Sequence, residues 1–492
     1  MEFWHYDPED GRGWYVYGSG SVTPDGRQIA PDPGVSIHEF TGAMVSPSSL
    51  AALLARLLAN FFGWGGDPVD LGTGLFILNK TDLELPDTLP LTLQRWYRPN
   101  DTRSRAFGIG ASHLYDMFLV GDTFPYTYVD LILPDGARVH YTRTSVGTNY
   151  WDAVYEHTSS PSAWFKSQVR WNGRGWNLTT RDGTLYVFPE AYAANRPQQA
   201  ALLKIQDRRG NVLTVMRNNH RDITRVIAPH GRWLEFTYDS SFRVTRVADN
   251  LGREVLYQYD ASGRLWKVTD AVGGVTEYTY DTNHRMLTLK DARGIVYLTN
   301  EYDANGRVSR QTQADDTTYE FAYTLDGAGK VTEAEVTDPR GHVRRVTFNA
   351  AGYSTSQTEA LGTALARTTN LTRQANTNLL LSLTDPLSRK TAYTYDSMGN
   401  PTSVTRLADT SEAVTTSLTY ESTFNQVASI TDALNHTTTF GYDAEGNLTS
   451  VTAPLNRQTT ATYDGLGLPL SVTNALGHTP PRSATSTAIW QP

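Results

Sequence analysis

The side chains that could carry chemistry in this chain of 492 residues are carboxylates, histidines and tyrosines, because cysteine is absent. Without cysteine the sequence excludes disulfides, iron–sulfur clusters, zinc–thiolate sites and a cysteine nucleophile. The 11 histidines are scattered, and the closest pair, His220 and His230, lies on either side of a predicted hairpin. This spacing gives no reason to expect a metal site.

The many acidic residues do not form a recognisable active site either. A glycosidase needs two carboxylates that face each other across about 5–10 Å, and a sequence pair such as Asp315-Asp316 does not establish that geometry. The stretch Asp443-Ala-Glu-Gly-Asn447 has the oxygen-rich character of a calcium loop but lacks its remaining ligands, and a tight turn explains it better. Nucleophile-elbow, P-loop and zinc-protease motifs are missing. We therefore expect no catalytic residue, no cofactor and no metal ligand.

Charge and hydropathy argue against two classes of partner. The chain has 43 basic and 51 acidic residues, a net charge of −8, whereas a nucleic-acid partner would need a clustered basic surface. The longest apolar run, residues 50–64, is interrupted by Arg56 and Asn60 and is shorter than the roughly 20 residues of a membrane-spanning helix. Residues 1–7 also lack the basic and apolar sections of a secretory signal. We expect no nucleic-acid partner and no membrane span.

The elements that position these side chains are predicted to be strands. The chain contains 27 Tyr, 16 Phe and 11 Trp, with 39 Gly to form turns. The exception is a short amphipathic helix that begins after Pro47-Ser-Ser49 and ends at Gly63. Packing against the β body is the favoured interpretation, and docking on a membrane surface or a partner is the alternative. Its apolar stripe consists of Leu50, Leu53, Leu54, Leu57, Leu58, Phe61 and Phe62.

A repeat of about 21 residues organises the second half of the chain. Tyr-Asp pairs recur at intervals of 21, 21 and 22 residues, and Tyr323 follows after a further 21 without its Asp. A gap of 72 residues then leaves room for three slightly longer units, with Phe348-Asn349 at one of the joints. A fixed period of this kind indicates a repeat architecture. The Tyr-acid joints are Tyr238-Asp239, Tyr259-Asp260, Tyr280-Asp281, Tyr302-Asp303, Tyr395-Asp396, Tyr420-Glu421, Tyr442-Asp443 and Tyr463-Asp464.

Each unit contains two turn signals, which predict two strands of about seven residues. A glycine stands four residues after most joint aromatics, and a second Asp-x-x-Gly turn lies midway, as at Asp249–Gly252. A single hairpin cannot bury its apolar face, so neighbouring units must pair into one continuous, curved antiparallel sheet. We therefore assign the joints a structural role and no catalytic one. The glycines are Gly263, Gly306, Gly327, Gly352, Gly399, Gly446 and Gly467.

This pattern closely resembles the YD repeats of the RHS family from about Met216 to Gly477. Upstream, residues 66–74 and 82–99 are similar to the domain of unknown function that precedes RHS repeats, and residues 13–43 are similar to the segment before it. The resemblance implies a hollow β-spiral shell like those of insecticidal toxin-complex C subunits and teneurins. In bacterial members the shell encloses a C-terminal toxin, and a core motif cleaves itself through aspartates. No such core motif, cleavage aspartate or toxin is recognised here.

The resulting prediction is an all-β fold, an incomplete antiparallel spiral shell with an N-terminal β-rich domain and one short helix. Its function would be to enclose or present a C-terminal effector, with that effector or the remaining shell as partner and the cell exterior or surface as location. The alternative is a carbohydrate-binding or adhesion module that contacts cell-surface glycans. The predicted segments are an N-terminal β segment at 1–46, the helix and Gly linker at 47–66, the upstream β-rich domain at 67–200, the repeats at 201–478 and a non-repeat tail at 479–492.

The tail departs from the repeat, which leads to a hypothesis about the gene. If the reading frame is displaced by one base, codons for Ala484 to Pro492 can encode Asp-Val-Asp-Gly-His-Leu-Ala-Thr, which restores the next Asp and Gly in phase. The chain would then be a frameshifted fragment of a longer RHS gene; the alternative is a simple gene end. A last unit with an unpaired strand edge is an aggregation hazard, so we expect poor solubility of the isolated chain.

Overall fold

The computed structural model describes residues 64–99, 101–190 and 200–479, together with the backbone of three strands before residue 32. The predicted helix over 50–62 and the tail after residue 479 lie outside these residues. Regular structure within them is almost entirely antiparallel strand, with short 3-10 turns at Leu114–Asp116 and Pro454–Asn456. The prediction of an all-β antiparallel fold is confirmed. No helix in the described ranges is long and apolar enough to cross a bilayer.

The first eleven strands form small sheets. Strands β1–β3 pair with one another, β4–β6 form a second sheet, β7, β8 and β11 form a third with β8 in the centre, and β9 pairs with β10. We call residues 64–116 the plug, because they pack inside the curve of the main sheet. The bounds are β1 Glu2–Asp7, β2 Gly13–Val22, β3 Ile29–Pro31, β4 Trp64–Gly65, β5 Val69–Asp70, β6 Leu75–Phe76, β7 Leu78–Leu85, β8 Leu91–Tyr97, β9 Ser104–Arg105, β10 Gly108–Ile109 and β11 Ala111–His113.

The remaining strands form one sheet of 32 strands in which each strand pairs with its neighbours in sequence. The bounds are β12 Phe118–Gly121, β13 Tyr128–Ile132, β14 Arg138–Arg143, β15 Val154–Glu156, β16 Gln168–Trp171, β17 Gly175–Thr179, β18 Leu185–Pro189, β19 Lys204–Gln206, β20 Val212–Arg217, β21 Ile223–Ile227, β22 Trp233–Tyr238, β23 Val244–Asp249, β24 Glu254–Tyr259, β25 Leu265–Thr269, β26 Val275–Tyr280, β27 Met286–Lys290, β28 Val296–Tyr302, β29 Val308–Gln313, β30 Thr318–Leu325, β31 Val331–Thr337, β32 Val343–Phe348, β33 Ser354–Glu359, β34 Arg367–Arg373, β35 Leu380–Thr384, β36 Lys390–Tyr395, β37 Pro401–Arg406, β38 Val414–Tyr420, β39 Val427–Thr431, β40 Thr437–Tyr442, β41 Leu448–Ala453, β42 Arg457–Tyr463 and β43 Pro469–Thr473.

The sheet is open, with β12 and β43 at its two ends. It runs without a break in pairing from β18 through β19 into the repeats, so strands upstream of the first Tyr-Asp joint share the same sheet. The sequence did not predict this continuity. The six strands β31–β36 fill the 72-residue gap after Tyr323, as the predicted three longer units require.

A β-bulge recurs immediately before most joint aromatics. In strand β24, for example, Tyr259 pairs with Leu265 while Gln258 pairs with Lys267, so one residue of β25 is left over. Such bulges bend a strand and increase its twist, and their repetition at one rim curves the sheet. At Tyr323 the prediction is wrong in detail, because β30 continues for two more residues and the turn closes at Gly329 instead of Gly327.

Candidate functional site: the inner face of the curved sheet

A row of apolar cross-strand pairs runs along the concave face of the sheet, two residues before each joint. In the first half the row includes Tyr257 opposite Val268 and Tyr278 opposite Leu289, and all four of these side chains are buried. Side chains from the plug, among them Phe107, join the same core. The row exists because each strand alternates sides with period two, and the plug covers this half of it.

A buried ion pair joins the plug to the repeats. Arg95 Nε lies 2.7 Å from Asp82 Oδ2, and both side chains are less than one-tenth exposed. The Tyr257 hydroxyl donates to Asp82 at 2.8 Å, and the Arg95 guanidinium lies over the rings of Tyr257 and Tyr278. Burial alone would lower the pKa of Arg95, but the Asp82 carboxylate together with Tyr278 and Tyr257 outweighs burial and holds that pKa well above its usual value.

Contacts of Tyr97 and Phe107 extend this attachment along the plug. The Tyr97 hydroxyl donates to the His284 carbonyl at 2.8 Å and accepts from the Met286 amide at 2.9 Å. The ring of Phe107 lies 4.6 Å from the ring of Tyr257, centre to centre. These contacts fix the register of the plug against strands β24–β27.

The second half of the row has no such cover among the residues that the structure describes. Its pairs include Tyr393 opposite Val404 and Phe440 opposite Val451, and these four side chains are only half-buried. Equivalent positions in the first half are buried. The repeat therefore presents the same apolar row twice, once under the plug and once without it, although Leu418 in the second half is also buried.

The sheet returns on itself, so that turns of its second half contact loops of its first half. Arg181 donates to the Met398 carbonyl at 2.8 Å, Arg208 donates to the Gly446 carbonyl at 2.8 Å, and Asn211 donates to the Leu466 carbonyl at 3.0 Å. We call this line of contacts the seam. The turn at Gly446 follows the turn at Arg208 by 21 strands, so about 20 strands complete one turn of a spiral.

The predicted repeat residues lie where the strands meet the rims. Most joint tyrosines donate their hydroxyls to a backbone carbonyl of the previous unit at 2.5–2.9 Å, as Tyr280 does to Leu265. Those in the first half also pack against the core. Tyr238 differs, because its hydroxyl accepts from the Ile223 backbone amide. The tyrosines that donate are Tyr259, Tyr280, Tyr302, Tyr395, Tyr442 and Tyr463.

The joint aspartates cap their own turns. Asp239 Oδ1 accepts from the amides of Ser241 and Arg243 at 2.8 and 3.0 Å. Burial would raise the pKa of Asp239, but these amides and the Arg243 guanidinium outweigh it and leave the pKa below its usual value. The same amide pattern recurs at Asp260, Asp281, Asp303, Asp396, Asp443 and Asp464.

Glycine is required at two joints because the seam leaves no room for a side chain. A Cβ atom at Gly399 would lie 2.4 Å from the Phe165 ring, and one at Gly446 would lie 2.7 Å from Arg208 Nε. Both glycines also have positive φ, near 76° and 77°. Gly263 and Gly306 likewise close turns with positive φ.

Sequence reasoning missed the arginines that follow the joints. Arg243 pairs with Asp239 and lies 4.4 Å from the centre of the Tyr259 ring, so it connects one joint to the next. Arg264 and Arg285 repeat this arrangement over Tyr280 and Tyr302. An arginine four residues after each of these aspartates was the available signal. Within the described ranges no three metal-ligating side chains come together.

Removing the hydroxyl of a joint tyrosine should cause a small but measurable loss of stability. We expect Tyr280→Phe to lower the free energy of unfolding by about 1 kcal/mol, because its hydrogen bond to the Leu265 carbonyl is lost. Tyr319→Phe is the matched control, since the Tyr319 hydroxyl forms no hydrogen bond with another described residue. Urea unfolding measures both; equal effects of the two substitutions would contradict the joint role.

Acid should weaken the junction between plug and repeats through His113. Burial lowers the pKa of His113 to about 4; Asp116 opposes this shift and Arg217 adds to it. The unfolded chain therefore binds one more proton between about pH 6.5 and pH 4, and the free energy of unfolding should fall by up to about 3 kcal/mol over that window. Urea unfolding across this range measures the fall, and His113→Phe should reduce it. An unchanged profile in that variant would refute the assignment.

Comparison with known families matches two parts of the chain. A model described as a domain of unknown function, DUF6531, matches residues 66–141. A model described as RHS Repeat matches residues 238–271, 259–296, 376–411, 422–458 and 442–479. No curated protein matches the chain.

Solved structures with a similar course of the chain include toxin complexes. A structure of the Photorhabdus luminescens Tc holotoxin pore with a mutated TccC3 is 14% identical with a TM-score of 0.42, over 78% of this chain and 21% of that one. The crystal structure of TcdB2-TccC3 is 13% identical with a TM-score of 0.35, over 96% of this chain and 27% of that one. The chain thus spans about a fifth to a quarter of the length of these solved chains.

Proposed function

The chain belongs to the RHS-repeat family, with a DUF6531 domain ahead of its repeats, and on that premise we propose that it is a structural wall. Its role is to enclose or present another polypeptide, and it has no reaction of its own. The proposed location is outside the cell or at its surface.

The observation that carries this proposal is the uncovered half of the inner row. Phe440 and Val451 occupy the repeat positions that Tyr257 and Val268 occupy in the first half, where the plug covers them. Burial of apolar area stabilises by about 25 cal/mol per Å², so a half-buried row of this kind favours a partner that would cover the rest of it. We propose that the partner is the C-terminal effector or the remaining shell.

Thiol labelling tests the proposal, because the chain has no cysteine of its own. A single cysteine at Val451 should react quickly with a maleimide, whereas a cysteine at Leu289, the equivalent covered position, should react slowly. A foreign, protease-sensitive segment joined after Pro492 should slow the Val451→Cys reaction and should itself be cleaved more slowly than the same segment joined before Met1. Equal cleavage rates and unchanged labelling would contradict the enclosing role.

Carbohydrate binding at a cell surface is the second candidate function. Support for it comes from a cleft at one rim of the sheet, which Tyr297 and Tyr319 line together with Asp67 of the plug. The two functions are compatible, because the cleft lies in the half of the spiral that the plug already fills.

A further inference from the structure

A cleft of about 460 Å³ opens at the rim that carries the Asp-x-x-Gly turns. The volume lies within the range of small-molecule sites in proteins, about 300–1,000 Å³. The cleft is open to solvent on one side and is bounded by the plug and by strands β28–β30. Its polar and aromatic lining includes Asp67, Tyr297, Gln313, Asp315, Thr317 and Tyr319.

The cleft lies where the repeat is irregular. The joints Tyr280 and Tyr302 are 22 residues apart instead of 21, and the additional residue is a bulge in strand β28. Leu289 pairs with Leu298 and Lys290 pairs with Val296, which leaves Tyr297 without a partner across the strands. Bulges of this kind re-aim a side chain and are common beside binding sites.

The next turn departs from the pattern at the same place. Gln313 stands where the two neighbouring units have the first Asp of the turn, Asp291 and Asp338, and Asp316, with φ of 62°, replaces their closing glycine. Asp315 uses one oxygen, Oδ1, to accept from the amide and hydroxyl of Thr317. Its second oxygen forms no hydrogen bond with another described residue.

The groups around the cleft are held in place yet keep free hydrogen-bonding capacity. Gln311, fully buried, accepts from the Asp67 amide and donates to the Asp67 carbonyl, both at 2.8 Å, which fixes the backbone that carries the carboxylate. In contrast to the joint tyrosines, the hydroxyls of Tyr297 and Tyr319 form no hydrogen bond within the described residues. The same holds for the carboxylate of Asp67 and the side-chain amide of Gln313.

We propose that this cleft binds a sugar unit that carries a protonated amino group. Tyrosine rings present an apolar face with a polar edge, which suits the C–H face and the hydroxyls of a pyranose. Two carboxylates and no basic side chain line the cleft, so a cationic sugar is favoured over a neutral or acidic one. Lys80 Nζ lies 5.7 Å from the centre of the Tyr297 ring, so Tyr319 is the ring expected to stack on the ligand.

Saturation-transfer NMR on the full chain, with the β-1,4-linked tetramer of glucosamine at about pH 6, tests this assignment. We expect saturable binding with a Kd of about 1 mM or tighter. The N-acetylated tetramer and cellotetraose, which lack the positive charge, should bind at least tenfold more weakly. Absence of saturable binding, or equal binding of the three oligosaccharides, would overturn the proposal.

Conservative variants place the binding at the cleft. Asp67→Asn and Asp315→Asn should each weaken binding of the glucosamine tetramer about tenfold, and Tyr319→Ala should abolish it. Asp270→Asn, in a turn outside the cleft, is the matched control and should leave the affinity unchanged. Asp67→Asn removes no hydrogen bond of the fold, so this variant should stay folded and any loss of binding would come from the lost charge. Unchanged binding in this variant would also overturn the proposal.

Discussion

Replacement of Asp82 by alanine should lower the free energy of unfolding by about 3–5 kcal/mol, because it leaves the buried Arg95 guanidinium without its counter-charge. The same change removes the acceptor of the Tyr257 hydroxyl, which lies in the repeat sheet. Asp82→Ala therefore removes interactions both within the plug and between the plug and the repeat sheet. Urea or guanidinium unfolding followed by fluorescence measures it.

A surface ion pair provides the matched control for this buried one. Glu254 pairs with Arg246 at 2.6 Å, but both side chains are more than one-third exposed, so Glu254→Ala should cost less than about 1 kcal/mol. Replacing both buried partners with apolar residues, Asp82→Leu with Arg95→Met, should recover much of the stability lost in Asp82→Ala. A loss of less than 1 kcal/mol in Asp82→Ala would show that the plug does not depend on this pair.

Phenylalanines at equivalent repeat positions should differ sharply in what they contribute. Phe321, in the covered half, is 7% exposed and lies against Gly66 of the plug, so Phe321→Ala should lower the free energy of unfolding by about 3–5 kcal/mol. Phe440, in the uncovered half, is only half-buried, so Phe440→Ala should cost roughly half as much or less. The difference follows from the plug alone, since the two residues share one place in the repeat.

Denaturant unfolding of the two variants, side by side, measures this difference. Val336→Ala and Val451→Ala, at the residues that pair with Phe321 and Phe440, form a second matched set. Equal losses within each set would mean that the two halves of the inner row are packed alike, and the proposed opening for a partner would then be excluded.

Local sequence rules predicted the repeat unit well. Tyr280 at a strand end, Asp281 at the start of a turn and Gly306 at the close of one are set by neighbours within a few residues. Strand alternation and turn chemistry act over that range. For this reason the hairpins, their number in the gap after Tyr323 and the antiparallel pairing could be predicted before the structure.

Contacts between residues far apart in the chain could not be predicted in this way. Arg95 contacts Tyr278, which lies 183 positions further along the chain. Arg208 donates to the carbonyl of Gly446, which lies 238 positions further along. A 21-residue period does not predict how many units complete one turn of the spiral, because that number depends on the bulge and twist of every strand. The cleft could not be predicted for a related reason, because its signals, a spacing of 22 and the missing Asp at Gln313, are departures from the repeat pattern.

A single distance across the seam shows whether the sheet returns on itself. Spin labels on cysteines that replace the exposed Thr179 and Ser422 would lie close to the seam, where Asn425 donates to the Arg181 carbonyl at 3.1 Å. Backbone reach then sets a separation of about 20 Å or less, and pulsed electron spin resonance on this cysteine-free chain should give one short distance. A flat sheet would separate these positions, which are 21 strands apart, by about 100 Å. A long or unmeasurable distance would contradict the spiral on which the proposed wall depends.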